Sequence, residues 1–299
     1  MAKMRAFSES SNTFRGLFAA KSLMKTVEIP SLRVALIGAG KLAWSLIPAL
    51  QEAGAEIVQL ISRDAARGQH DREAYGIPVG GTRPAELLPD LDLVLLTVSD
   101  ASIPEVVGQL AGRLSPATVL AHCSGSVPLS ALSGTGAQSG VFYPLQLFTR
   151  AARTPLQGVP FFLEGNPGAL ELLQPLATAV SGRWYPLDSA GRRQLHLAAV
   201  WACNFPNLLF RLAESLMPAG MDFRVYEPLV RQHIDKVFRE LPAASQTGPA
   251  LRGDLPTLQA HLQMLADQPA LAELYRTLSD LIRPGVWEGQ TKKGSPGEP

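Results

Sequence analysis

Two kinds of chemistry-bearing residues recur along this chain of 299 residues: backbone-baring glycines that could hold an anion, and a few imidazoles, hydroxyls and amides that could move a proton. Gly38, Gly40 and Ala43 form a G-x-G-x-x-A run directly after the apolar stretch Val34 to Ile37, and Lys41 and Leu42 open the helical pattern that follows. In such a strand-turn-helix the first glycine permits a tight turn, the second lets backbone approach a diphosphate, and the small third residue lets the helix pack close to the strand. Unpaired N–H groups at the helix start attract anions. A glycine triplet alone is weak evidence, so the context decides. A helical run from Leu42 to Ala53, a stop at Gly54 and a second β-rich run from Ile57 to Ile61 complete one βαβ unit. A dinucleotide site is therefore expected, with Gly38, Gly40, Lys41 and Leu42 beside the diphosphate.

Specificity should be set at the end of the second strand, where an NAD site carries an acidic residue about twenty positions beyond the glycines. Here that end reads Ile61-Ser62-Arg63-Asp64. Ser62 stands where the acid would, and Arg63, with Arg67 one turn on, suits the 2′-phosphate of NADP, the expected cofactor. The competing reading is a solvated Arg63, with Asp64 binding the ribose.

Ligands of open α/β sheets bind beyond the carboxyl ends of the strands. Val98, Ser99 and Asp100 lie there, as do His122, Cys123, Ser124 and Gly125, then Tyr143 and Pro144. Ser99 and Asp100 equally suit a turn, and His122 is either a satisfied structural histidine or a proton donor facing the cofactor. On the helix from Arg192, the positions His196, Val200, Asn204, Asn207 and Arg211 share one face. Pro206 should kink that helix near residue 202 and free a carbonyl. Asn204 is open to either a ligand or that freed backbone, while Asn207 fits the backbone reading. A third polar group, Asp254, Thr257 and His261, fits helix capping, and Arg252 beside it could bind a carboxylate.

The elements that would position these residues follow from periodicity. From Ser31 to about Thr149 strand and helix alternate, with strands expected at Val34–Ile37, 58–61, 77–79, 92–98, 118–121 and 141–143. Ser102-x-x-Glu105 reads as a capping box. Two further strands, 160–163 and 183–186, flank a helix at 167–180, and helices alone follow at 192–216, 226–241, 255–266 and 270–282. The expected fold is α/β, an N-terminal doubly wound sheet followed by an all-helical C-terminal domain. The expected boundaries are a cofactor domain over 31–188 and a helical domain over 189–284, with an unstructured extension at 1–30 and tail at 285–299. Met24 is an alternative start of translation, and residues 1 to 23 lack the apolar core of a secretory signal. Pro48 should break a bond inside its helix, and nothing in the sequence accounts for it.

Composition narrows the function classes. A net charge of +1, without basic runs, argues against nucleic acid. The apolar stretch Leu195 to Phe210 is shorter than the roughly 20 residues of a spanning helix and contains His196, Asn204 and Asn207, so a buried helix is expected there rather than a membrane span. Cys123 and Cys203 lack metal spacing and read as free thiols of a reducing cytoplasm, with no metal site.

The stretches 34–64, 96–100, 122–126, 141–146, 195–205 and 247–254 together make the chain resemble bacterial Rossmann-like proteins with a helical C-terminal domain of unknown function. These are similar to the β-hydroxyacid and 6-phosphogluconate dehydrogenase superfamily, which includes pyrroline-5-carboxylate reductase and deazaflavin-dependent NADP oxidoreductases. The resemblance implies NADP in the N-terminal domain and a helical domain that forms a homodimer and completes the site. Hydroxyacid dehydrogenases of that superfamily place a catalytic Lys four residues before an Asn. With Asn204 as that Asn, the Lys position holds Val200, which cannot move a proton. His196, one turn earlier, could take the role, and imine reduction relies less on such a Lys. The expectation is hydride transfer between NADP and a small carbonyl, hydroxyl or imine substrate. Ser99, Ser124 and Asn204 would orient the substrate, and His122 or His196 would carry the proton. The alternative is a non-catalytic homodimer that senses NADPH.

Overall fold

Val34–Ile37, Leu93–Leu96 and Val119–His122 are apolar at nearly every position and must be covered on both faces, a demand that a parallel sheet with helices on each side meets. The computed structural model describes residues 31–288. The extension expected at 1–30 and residues 289–299 of the expected tail lie outside them. The chain lays down β1 (Arg33–Ile37), α1 (Lys41–Glu52), β2 (Glu56–Ile61), α2 (Ala65–Tyr75), β3 (Val79–Gly81), β4 (Leu93–Leu96), α3 (Ile103–Leu110), β5 (Val119–His122) and β6 (Gln138–Pro144). Then come β7 (Phe161–Gly165), α4 (Pro167–Ser181) and β8 (Trp184–Pro186). The strands form one sheet in the order β3-β2-β1-β4-β5-β6-β7-β8, parallel except where β7 runs against β6. Successive residues of β1 go to opposite cores. Val34 and Leu36 join Leu46, Phe142 and Phe161, whereas Ala35 and Ile37 join Val94, Ile103 and Leu120. Because β1 lies between β2 and β4, the direction of winding reverses there and opens a crevice beyond Ile37 and Leu96.

Several details differ from the sequence expectation. The third strand is Val79–Gly81, because Ile77 is committed to the core. Regular pairing of β4 ends at Leu96, although the Thr97 N–H still reaches the Ile37 carbonyl at 2.9 Å. Ser102 forms no capping box: Pro104 removes one N–H that a cap would serve, and the Ser102 hydroxyl pairs with that of Ser99 at 2.8 Å.

Pro48 does sit inside α1 and cannot donate to the Trp44 carbonyl one turn back. The Tyr75 hydroxyl donates to that carbonyl instead, at 2.6 Å. The lost helix bond is thus replaced from α2, which fastens the two helices together.

The longer elements that follow are α5 (Ser189–Ala199), a π turn (Val200–Asn204), α6 (Phe205–Ser215), α7 (Glu227–Glu240), α8 (Leu255–Met264) and α9 (Pro269–Ile282). The kink expected near residue 202 is this π turn, in which Phe205 donates to Val200 just before Pro206 interrupts the ladder. The chain forms two compact units that divide between Leu208 and Leu209, later than the change of pattern at 188/189. Arg192, fully buried, ties α5 to the first unit. In the second unit Val286 is buried with Ala250 and Leu258, and the Trp287 indole donates to the Arg276 carbonyl at 3.2 Å. The expected unstructured tail therefore starts too early at 285.

The stretch Leu195 to Phe210, expected to be buried, is buried only in part among the described residues: Leu195 packs beside Tyr143 and Phe162, whereas Trp201 is 62% exposed and Leu197, Phe205, Leu208 and Leu209 are exposed as well. No helix among the described residues is long and apolar enough to cross a membrane.

Replacing Tyr75 by Phe should cost about 1 kcal/mol in urea unfolding, the worth of a hydrogen bond to an otherwise unserved carbonyl. Adding Pro48→Ala should recover most of it, because alanine at this position supplies the missing helical N–H. No recovery in the double variant would refute this account of Pro48.

Candidate active site

Gly38 and Gly40 are glycines for different reasons. Gly38 has φ +115°, and a Cβ there would fall 2.7 Å from the Thr97 carbonyl carbon, so the approach of β1 to β4 requires it. A Cβ at Gly40 would meet only the Thr97 oxygen, at an ordinary 3.6 Å. The protein itself could accept alanine at position 40, and what glycine keeps open there is the crevice. Helix α1 begins at Gly40 with no side-chain cap, so its first N–H groups remain available to an anion.

The crevice is a cavity of about 410 Å³, lined among others by Gly38, Gly40, Ser62, Arg63, Val98 and Ser99. The other three residues expected around the cofactor do not line it. Lys41 is exposed on the first turn of α1 and Leu42 packs against the core. Asp100 accepts the Ser126 hydroxyl at 2.5 Å. Ser62 is buried and donates to the Asp64 carbonyl at 2.9 Å. Asp64 caps α2 through the Arg67 N–H at 3.0 Å and pairs with the Arg67 side chain at 3.3 Å. Arg83, also on the cavity wall, pairs with Glu86 at 2.8 Å. Among the described residues Arg63 has no carboxylate partner, so it is the rim arginine left to meet a phosphate. This donor set fits a dinucleotide carrying an extra phosphate.

A second cluster forms past the ends of β5 and β6. The His122 ring is fully buried; its Nδ1 accepts the Ser124 N–H at 3.2 Å, and its Nε2 has no partner among the described residues. Burial, then the charge of Arg192, push its pKa down to about 4, against weaker upward pulls from the Pro128 backbone, Asp100 and Glu164. The imidazole is therefore neutral near pH 7, with its proton on Nε2. The Ser124 hydroxyl accepts the Ser126 and Val127 N–H groups at 3.1 and 3.0 Å, which shapes the loop. Arg192 fixes that loop from behind. It donates to the Ser124 carbonyl at 3.1 Å and the Val127 carbonyl at 2.5 Å and pairs with Glu164, which also accepts the Ser189 hydroxyl. Sequence reading passed over Arg192, although it lies one turn before His196 on the same polar face.

On the loop's other side the Tyr143 hydroxyl and His196 Nδ1 lie 3.1 Å apart. Both press against Gly125, where a Cβ would fall 2.7 Å from His196 Nδ1 and 2.8 Å from Tyr143 Cζ. Burial, then the charge of Asp100, raise the pKa of Tyr143 above its usual 10, with Arg192 opposing. The phenol thus stays protonated and can donate. Tyr143 was legible only as one residue at a strand end; its pairing with His196, 53 positions later, was not.

The remaining candidates are more ordinary. Asn204 is exposed in the π turn, and neither its side-chain amide nor that of Asn207 has a hydrogen-bond partner among the described residues. The expected bond to a freed carbonyl is therefore absent. Burial pushes the Cys123 thiol up to about 12, Cys203 is exposed, and both are free. Asp254 accepts the Thr257 N–H at 3.3 Å and hydroxyl at 2.9 Å, as a helix cap does, and His261 pairs with Tyr275 at 2.7 Å. Among the described residues no cluster of ligating side chains could hold a metal ion.

Residues 33–123 match the family model of coenzyme F420-dependent NADP oxidoreductases, and residues 159–282 match DUF2520, a domain of unknown function. No curated protein matches the chain. Among solved structures it is similar to BF3122 from Bacteroides fragilis, assigned as an NADP oxidoreductase. That match has 33% identity, covers 86% of this chain and 98% of that one, and gives a TM-score of 0.77. Protein TM1727 from Thermotoga maritima is 24% identical, over 87% of this chain and all of that one, with a TM-score of 0.63. A reductive aminase from Aspergillus terreus, in complex with NADPH and ethyl-5-oxohexanoate, is 15% identical over 87% and 95% of the two chains, with a TM-score of 0.61. The last two share the fold. The chain belongs to the NADP oxidoreductase family represented by BF3122, with a DUF2520 domain as its C-terminal part.

Proposed function

We propose that this NADP-dependent oxidoreductase reduces a small imine or carbonyl compound, and that Tyr143 with His196 supplies the proton. The observation that carries the reading is the Tyr143–His196 pair, which bonds within itself at the carboxyl end of the parallel strands. Ser124, by contrast, is committed to backbone and Asp100 to Ser126. NADPH, when bound, supplies the hydride. The Gly40 backbone and the start of α1 would hold its diphosphate, and Arg63 its 2′-phosphate. As the C=N or C=O carbon gains hydride, its nitrogen or oxygen gains negative charge, and the protonated Tyr143 phenol neutralises it by donation. His196, half-exposed on the other side of that hydroxyl, connects it to solvent protons. Ser99 and Asn204 are proposed to orient the substrate, and His122 to hold the loop. Val200 at the usual Lys position weighs against alcohol oxidation by the Lys route, so reduction is the favoured direction. A sensor of NADPH needs no proton-donating pair, and the presence of one favours catalysis.

The exposed apolar residues Leu197, Trp201, Phe205 and Leu208 are proposed to bury against a second copy of the chain, in keeping with a homodimer. Two free thiols suit a reducing cytoplasm.

Arg63→Ala should weaken NADPH binding roughly tenfold or more and leave NADH binding unchanged, read by nicotinamide fluorescence titration. Equal losses for both cofactors would rule out a 2′-phosphate role. A panel of small imines and carbonyls, followed by loss of NADPH absorbance, should yield a substrate. With that substrate, Tyr143→Phe should lower kcat by roughly 100-fold or more at an unchanged melting temperature. Because burial raises the phenol pKa above its ordinary value, wild-type turnover should not fall through phenol ionisation near neutral pH. A fully active Tyr143→Phe enzyme disproves the proton assignment. Light scattering at micromolar concentration should give twice the chain mass, and a monomer would dispose of the dimer.

A further inference from the structure

Resting on the cofactor reading above, we infer that Arg150, held by the buried carboxylate of Asp71, is a positioning residue that sets the geometry of the glycine turn for the diphosphate. Its Nη1 donates to the Ala39 carbonyl at 3.0 Å, and Ala39 is the residue between Gly38 and Gly40. The same guanidinium grips Asp71 with two parallel bonds, Nη1 to Oδ2 at 3.1 Å and Nη2 to Oδ1 at 2.6 Å. Asp71 is fully buried on α2 and Arg150 is 29% exposed, so this is not a solvated surface pair.

The peptide unit that carries the Ala39 carbonyl also carries the Gly40 N–H, one of the donors at the start of α1. Holding the oxygen fixes the plane of that peptide and so the direction in which the N–H points. The turn is pinned on its other side too: the Gly38 N–H reaches the Ile61 carbonyl at 2.7 Å, and the Thr97 hydroxyl donates to the Gly38 carbonyl at 2.8 Å. Arg150 supplies the hold that neither neighbouring strand can give.

The surroundings restrict the guanidinium to this pose. It lies over the Trp44 ring at 4.7 Å, with Arg153 on the same ring at 4.9 Å, and the Thr154 N–H bonds Ser45 of α1 at 3.0 Å. Residue 150 falls in the stretch 124–158 that neither family model spans. A bidentate fork that serves a carboxylate and a carbonyl at once is within reach of arginine and not of lysine. A buried ion pair is weak evidence for stability, since apolar replacement of both partners is often neutral. Orienting a peptide is a role that such a replacement cannot fill.

The test uses the full chain, with NADPH as the probe. Three variants are compared with wild type: Arg150→Lys, Asp71→Asn, and the apolar pair Arg150→Met with Asp71→Val. For each, NADPH affinity comes from nicotinamide fluorescence, stability from the thermal midpoint, and mobility of the turn from amide hydrogen exchange at Gly38 to Lys41 without cofactor. The expected result is roughly tenfold weaker NADPH binding and faster exchange at those amides, in every variant that keeps the wild-type midpoint. Unchanged affinity and unchanged exchange in a variant of wild-type stability overturn the inference. Losses that merely track the melting temperature also overturn it, because a structural role would then suffice. If wild type binds no NADPH, the cofactor reading falls and this inference with it; failure of the inference alone shows as tight binding by wild type and variants alike.

Discussion

The closeness of β1 to β4 is the constraint on which the site depends. Chain winding reverses between these strands, and Gly38 passes so near Thr97 that no Cβ fits. That approach ends β1 abruptly, turns the chain into α1, and leaves the helix N-terminus facing an open crevice with no side chain capping it. A larger residue at 38 would push the strands apart and at the same time tilt the amides at Gly40. The packing of the sheet and the presentation of an anion site are here one geometric fact.

Two arginines stabilise what the sheet leaves loose. Loops at strand ends cannot rely on ladder bonds, so their carbonyls need donors from elsewhere. Arg192 serves the Ser124 and Val127 carbonyls, and Arg150 serves that of Ala39; each is anchored by a carboxylate, Glu164 or Asp71. Such pairs cost desolvation and add little net stability. Their benefit lies in fixing loops to within the tolerance that positioned chemistry needs. The segment after β6 joins the two regions, since it leaves the sheet at Tyr143 and Pro144 and reaches the glycine turn before α1 at Arg150.

Legibility in the sequence followed the range of the interactions. The strand and helix order from Arg33 to Tyr185, the glycine turn and the position of Arg63 rest on local periodicity and spacing, and they could be read. The π turn was foreseen as a kink because Pro206 acts on its own helix. The pairs that build the rest of the site join residues far apart, Tyr143 to His196, Arg192 to Ser124 and Arg150 to Ala39, and no local pattern encodes them. Pro48 shows the same limit: its compensation comes from Tyr75 on another helix. The surroundings of Asn204 were not legible for a different reason. Its helix is apolar enough to be buried, and burial was expected, yet among the described residues Trp201, Phe205 and Leu208 beside it are exposed.

The two histidines at this end of the sheet illustrate how burial sorts similar side chains into different duties. His122 is enclosed completely, and desolvation drives its pKa down to about 4. Protonating it near neutral pH would place a cation beside Arg192, so it is suited to accepting the Ser124 N–H and holding the loop. Tyr143 is almost as buried, but desolvation acts on its anion, so the same burial preserves the proton that His122 cannot take up. His196 stays half-exposed and keeps contact with solvent. A proton donor in a largely dry site has to be an acid whose neutral form is the protonated one. Among the groups gathered around Gly125, the phenol of Tyr143 meets that condition and the imidazole of His122 is held by the backbone instead.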